Sequence, residues 1–197
     1  MAQNFQQMEF KMPKIPKKTI QIVVVVFVAA IVLYGSIYQV GPEEMGVILR
    51  FGKFVRTTDP GLRFKMPFGI EALTRVPVQR QLKHEFGFRT TTPGIRSTYS
   101  NPVEAQKEAV MLTGDLNVLN VEWIVQYKIK DPYKYLFKMR GAENTFRAMN
   151  EAVVRRVIGD NSVDEALTIG RDRIAHESRE ALQELCNVYE IGIEVNQ

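Results

Sequence analysis

From Thr19 to Pro42 the chain carries no charged residue, and every position from Ile22 to Leu33 is apolar. About 20 such residues, wound as a helix, cross roughly 30 Å of hydrocarbon. The run is rich in valine and isoleucine, which in water favour a strand. In lipid a lone strand leaves its N–H and C=O groups unpaired, so the pattern predicts a helix. A core helix of this length would show a polar face. A cleavable leader has an apolar region of about 7–15 residues and a small-residue cleavage site. This run is longer, and Tyr34-Gly-Ser-Ile-Tyr38 is a poor site. The reading is a retained single-pass anchor over residues 19–42. Ile22, Val26, Phe27, Ile31 and Leu33 lie within the membrane, and Tyr34 and Tyr38 sit near the exit, where aromatic belts form.

Beyond the anchor the periodicity drops to two. Met45, Val47, Leu49 and Phe51 alternate on one strand face, and Asp59-Pro60-Gly61 is a turn signal. Leu62–Met66, Leu73–Val78 and Leu82–Arg89 read as further short strands, and Thr90–Ala105 as a long loop. The clearest strand is Leu119–Lys130, with Val121, Trp123, Val125, Tyr127 and Ile129 on one face, preceded by a hairpin turn at Thr113-Gly-Asp115 and stopped by Asp131-Pro132. The period then becomes helical. Phe146, Met149, Val153, Val154, Val157 and Ile158 form one stripe ending at Gly159. Ser162-Val-Asp-Glu165 is a capping box, and a helix from Arg171 to Tyr189 precedes a last alternating segment, Ile191–Val195. The fold class is α+β: a β-rich part over 43–100, and strands with packed helices over 101–197. The chain ends two residues after that segment, so a longer natural protein is expected.

Charge orients the anchor. Residues 1–18 hold Lys11, Lys14, Lys17 and Lys18 against Glu9, whereas the other flank opens with Glu43 and Glu44. The positive-inside rule places this short basic tail in the cytoplasm and the body outside the inner membrane, in the periplasm of a Gram-negative cell. The net charge is +4, nearly all of it from the tail. The domain is close to neutral and lacks the basic footprint of a nucleic-acid binder.

The chemistry-bearing residues are scattered. The lone Cys186 excludes an intrachain disulfide and reads as a buried apolar side chain in a helix. His84 and His176 lie far apart, each followed by Glu on an expected surface face, with no metal-ligand spacing. There is no phosphate-binding loop and no nucleophile motif. No catalytic, cofactor-binding or metal-binding residue is assigned. Two surfaces remain. Within Phe64–Ile70, Phe64 and Met66 read as core and Phe68 and Ile70 as candidates for membrane-interface contact. On the last long helix, Arg173, Glu177, Arg179, Glu180 and Glu184 form a charged face suited to a subunit contact.

The segments Gly46-Val-Ile-Leu-Arg-Phe-Gly-Lys-Phe54 and Pro60-Gly-Leu-Arg-Phe-Lys-Met-Pro-Phe68 resemble the opening of the SPFH (Band 7, stomatin/prohibitin) domain. Phe86-Gly-Phe-Arg-Thr90, Met111-Leu-Thr-Gly-Asp115, Val121–Pro132, Tyr135-Leu-Phe137 and Ala166–Arg171 extend the likeness over about 40–197 and make it most similar to the HflK family. That resemblance implies a non-enzymatic membrane scaffold, without cofactor. Members pair with an HflC-like subunit in a large hetero-oligomeric ring or cage that encloses the membrane protease FtsH and limits its access to substrates. The long Gly-rich N-terminal segment of some members and the C-terminal coiled helices of the family are missing here. The alternative within the superfamily is a stomatin- or prohibitin-like organiser of lipid microdomains.

Overall fold

The computed structural model describes residues 17–92, 98–100 and 102–196. Residues 1–16, which hold most of the predicted basic tail including Lys11 and Lys14, lie outside the described residues. Helix α1 runs over Lys17–Ser36. Its described side chains from Ile22 to Tyr34 are solvent-accessible around the whole circumference, with no protein face against them. Among the described residues no helix is long and apolar enough to cross a membrane. The described side chains of α1 run unbroken only from Gln21 to Ser36.

The helix stops earlier than the uncharged interval suggests. Ile37–Val40 leaves it directly as strand β1, and Tyr38 is a buried strand residue whose hydroxyl meets Thr58 Oγ1 at 3.3 Å. Tyr38 therefore belongs to the folded domain and not to the helix exit. Its burial beside Val40 and Ile48 outweighs continuation of the helix.

Strands β2 (Glu44–Arg50), β3 (Lys53–Thr58) and β5 (Glu71–Pro77) form an antiparallel sheet in the order β3-β2-β5, and β4 (Gly61–Phe64) pairs with β1. A bulge falls between Ile48 and Leu49. A second sheet, β12-β11-β6, joins β6 (Leu82–Phe86), β11 (Trp123–Ile129) and β12 (Ile193–Val195). The expected loop after Arg89 is in part a hairpin, β7 (Arg89–Thr92) with β8 (Thr98–Ser100), followed by helix α2 (Val103–Ala109). A short hairpin, β9 (Val110–Leu112) with β10 (Val118–Asn120), turns through Thr113–Asn117.

Asp131-Pro132 ends β11 and also starts α3 (Pro132–Phe137). The Asp131 carboxylate accepts from the N–H groups of Tyr133 and Lys134, and proline suits the first helical turn, where its missing donor costs nothing. Helix α4 (Ala142–Gly159) buries Phe146, Val153, Val154, Val157 and Ile158 of the stripe read from the sequence, and its sixth member, Met149, is half-buried against the same core. Helix α5 (Val163–Leu167) carries the Ser162/Glu165 capping box, and α6 (Arg171–Val188) buries Ile174, Ser178, Leu182 and Cys186.

The main core lies between α4, α6 and the second sheet. Trp123 and Phe86 are opposed in register and stack with ring centroids 4.5 Å apart. The Trp123 indole N–H donates to Asn150 Oδ1 at 2.7 Å, and the Arg147 guanidinium lies 4.3 Å from the Phe86 ring. Val47, Val76 and Ile129 form a smaller core that ties the two sheets together.

Candidate functional site

The end of the domain next to α1 is built by β1, β4 and the 65–70 loop. Ile37 opposes Phe64 and Gln39 opposes Leu62, so these four share the outer face of the β1–β4 ladder. Lys65 N–H donates to Ser36 O at 2.8 Å, and Pro67 packs beside Gly35, so the loop is seated on the end of α1. The face is apolar and exposed. Phe64 is 62% and Phe68 74% accessible, and Leu62, Met66 and Ile37 are exposed as well. Phe64 and Met66 are therefore not core: β4 is a two-stranded edge with no layer packed over it. Ile70 is half-buried.

Phe51, expected on one strand face with Met45, Val47 and Leu49, instead sits in the β2–β3 turn at φ +50 and is 82% accessible. Phe68 has φ +62. Bulky residues seldom adopt positive φ, and such strain persists only where surrounding contacts impose it. Phe51 N–H donates to Ile70 O, which joins the two turns. Each aromatic precedes a glycine (Phe51-Gly52, Phe68-Gly69), a sequence sign of a turn that the strand alternation masked.

One buried carboxylate holds this end together. Glu71 accepts from Arg50 Nη2 at 2.9 Å, from Arg56 Nη1 and Nη2 at 3.2 Å, and from the Met66 N–H at 3.0 Å. Arg56 also donates to Phe64 O. The Arg50 hydrogen bond first, then the Met66 N–H and Arg56, outweigh burial and bring the Glu71 carboxyl down to about 2.

The charged face of α6 divides. Arg173 is occupied within the fold by Asn161 Oδ1 at 2.6 Å and Glu165 at 3.2 Å, and pairs with Glu177 at 3.7 Å. Glu180 meets His176 at 3.2 Å. Arg179, Glu180 and Glu184 line a cleft of about 1120 Å³ that reaches Lys130, Lys134 and Met45. The cleft wall is strongly paired: Lys134 and Lys138 both bind Glu190, and hydrogen bonds from Lys138 and then Lys134 bring that carboxyl to about 2. The Gln183 carboxamide donates to Ile193 O and accepts from Val195 N–H, so it occupies the open edge of β12. Sequence reading missed this side chain because a glutamine on a charged helix face carries no local signal.

The remaining titratable groups are structural. His84, expected on the surface, is half-buried, stacked on Tyr127 and 3.1 Å from its hydroxyl; burial, then Arg147, lowers its pKa. Glu108 bridges Arg89 and Arg147. Glu85 accepts from Thr90 N–H and Oγ1 and from Lys83; these bonds overcome its burial and bring it to about 2. Cys186 is buried, and burial pushes its thiol up to about 12, too high for a nucleophile. Among the described residues no group of His, Cys, Asp and Glu could hold a metal ion.

Comparison with known proteins agrees with this arrangement. The model of the SPFH domain / Band 7 family matches residues 38–197. A protein named HflK of Borreliella burgdorferi is 36% identical over 176 residues, covering 89% of this chain and 55% of that protein. HflK of Treponema pallidum is 38% identical over 159 residues, 80% of this chain and 48% of that protein. The Escherichia coli K12 protein named modulator of FtsH protease HflK is 33% identical over 174 residues, 87% of this chain and 36% of that protein. The chain thus spans between about a third and about half the length of these curated relatives. With its two three-stranded antiparallel sheets, its α4–α6 core and a family match over nearly the whole folded part, the chain belongs to the SPFH domain / Band 7 family.

Proposed function

We propose that this chain is a non-enzymatic membrane scaffold subunit of the HflK type, which assembles with an HflC-like partner around an FtsH-like membrane protease and restricts its access to membrane substrates. The observation that carries this reading is the belt of exposed apolar side chains, Phe51, Leu62, Phe64, Met66 and Phe68, around the point where α1 passes into β1 without a linker. An apolar patch at the foot of a helix that is apolar from Ile22 to Leu33 suits the boundary between headgroups and hydrocarbon. In this reading α1 is the single-pass anchor. Its uncharged part, Thr19–Ser36, rises about 27 Å at 1.5 Å per residue, against roughly 30 Å for the hydrocarbon layer. The basic residues 1–18 stay cytoplasmic, the SPFH domain stands on the periplasmic face, and Phe68 and Ile70 meet lipid.

Assembly follows from confinement. Anchoring in two dimensions raises the effective concentration of neighbouring domains. Repeated side-to-side contacts between unlike subunits close into a ring when the rotation allows. The Arg179, Glu180 and Glu184 side of α6 supplies one such contact surface, with Arg173 and Glu177 at its N-terminal end. The names of the HflK relatives support the FtsH connection. The exposed apolar belt also suits an organiser of lipid microdomains, the second reading.

Gentle solubilisation from native membranes, with imaging of the particles and mass spectrometry of every associated chain, separates the two. Recovery of an FtsH-like protease with an HflC-like subunit is the expected result, and lipid-enriched particles containing neither would refute it. Single-cysteine labelling at positions 11 and 189 tests the topology, and labelling of both from the same side would remove the anchor model.

A further inference from the structure

We propose that the crevice between α4, α6 and the start of β11 binds a medium-chain aliphatic carboxylate. The crevice has a volume of about 270 Å³. Val121, Val154, Ile158, Ile174 and Leu182 form its walls. The Ser178 hydroxyl lines it as well, is 8% accessible, and has no hydrogen-bond partner. A buried hydroxyl without a partner is costly, and native folds seldom leave one idle.

Of the three charged side chains that line the crevice, Glu122, Arg171 and Arg179, two are cationic. Arg171 and Arg179 line it, and neither forms an ion pair among the described residues. Arg171, Ser178 and Leu182 recur at positions i, i+7 and i+11 and share one helix stripe, which places the cationic rim, the hydroxyl and the apolar wall in line. Glu122 also lines the crevice, with its side chain lying over Gly87. An amphiphile satisfies all three features: its chain fills the apolar walls, and its carboxylate accepts from Ser178 and lies in the field of the two guanidinium groups. An apolar cavity of about 150 Å³ admits benzene, about 25 Å³ per heavy atom, so this crevice holds on the order of ten heavy atoms, the size of octanoate.

The test uses the full chain in lipid nanodiscs with a photoreactive diazirine analogue of octanoate, and maps labelled peptides by mass spectrometry. Labelling within 150–158 and 171–182, competed by octanoate and at least about tenfold less by octan-1-ol, is the expected result. Ser178→Leu fills the crevice and abolishes that labelling. The rim variant Arg171→Ala/Arg179→Ala, at positions outside the core, lowers it several-fold while leaving circular dichroism and thermal unfolding unchanged. Labelling confined to α1 or to 64–70, equal competition by octan-1-ol, or labelling unaffected by the rim variant would each overturn the proposal.

Discussion

Replacing Glu71 by glutamine keeps the side-chain volume and removes the charge that organises the end of the domain next to α1. The carboxylate is almost fully buried and serves Arg50, Arg56 and the Met66 N–H. Its fall from 4.5 to about 2 corresponds to about 3 kcal/mol at 1.36 kcal/mol per pH unit. Both guanidinium groups are about 40% accessible, so solvent screens them, and about 2 kcal/mol is the expected cost at pH 7. The folded value lies below the unfolded one. The stabilisation is therefore complete above pH 4.5 and lost as the pH falls towards 2. Urea unfolding of parent and Glu71→Gln, with hydrogen exchange at the amides of Met66 and Ile70, gives the readout. The variant exchanges these amides faster at pH 7, and its stability deficit shrinks between pH 4.5 and 2.5. A deficit below about 0.5 kcal/mol at pH 7, or one that stays constant over that interval, would refute the clamp.

Three further outcomes are expected. Gln183→Ala uncovers the β12 edge, costs about 1–2 kcal/mol in urea unfolding, and increases self-association measured by light scattering; an unchanged midpoint and particle size would contradict the edge-cap role. Gly192→Ala costs about 3 kcal/mol or more by thermal unfolding, because a Cβ there would lie 2.5 Å from Asp131 O at φ +76, and a variant as stable as the parent would show that the α6–β12 turn relaxes freely. The double change Phe51→Asp/Phe68→Asp raises the accessibility of the 65–70 loop to hydrogen exchange in nanodiscs less than in detergent if these rings stand in solvent, and more if they sit in lipid; the second result is expected.

Much of this protein is written locally. The apolar run that the pattern assigns to a helix is helical over Lys17–Ser36. The alternation in β11, the 3.6-residue stripe of α4 and the Ser162/Glu165 box each lie within one element, where side-chain period and capping chemistry suffice. Tertiary contacts decided the rest. That Tyr38 ends in a strand follows from burial against Val40 and Ile48, partners that helix propensity does not see. That β6 pairs with β11 across some forty residues, joining the β-rich first part to the helical second, depends on the Trp123–Phe86 stack and on register. Phe51 and Phe68 are exposed because two positive-φ turns carry them outward, and alternation alone assigns an aromatic to the core. The Glu71 clamp, the Gln183 edge cap and the crevice beside Ser178 combine residues from separate elements, and a one-dimensional pattern holds no term for what two distant segments do when they meet.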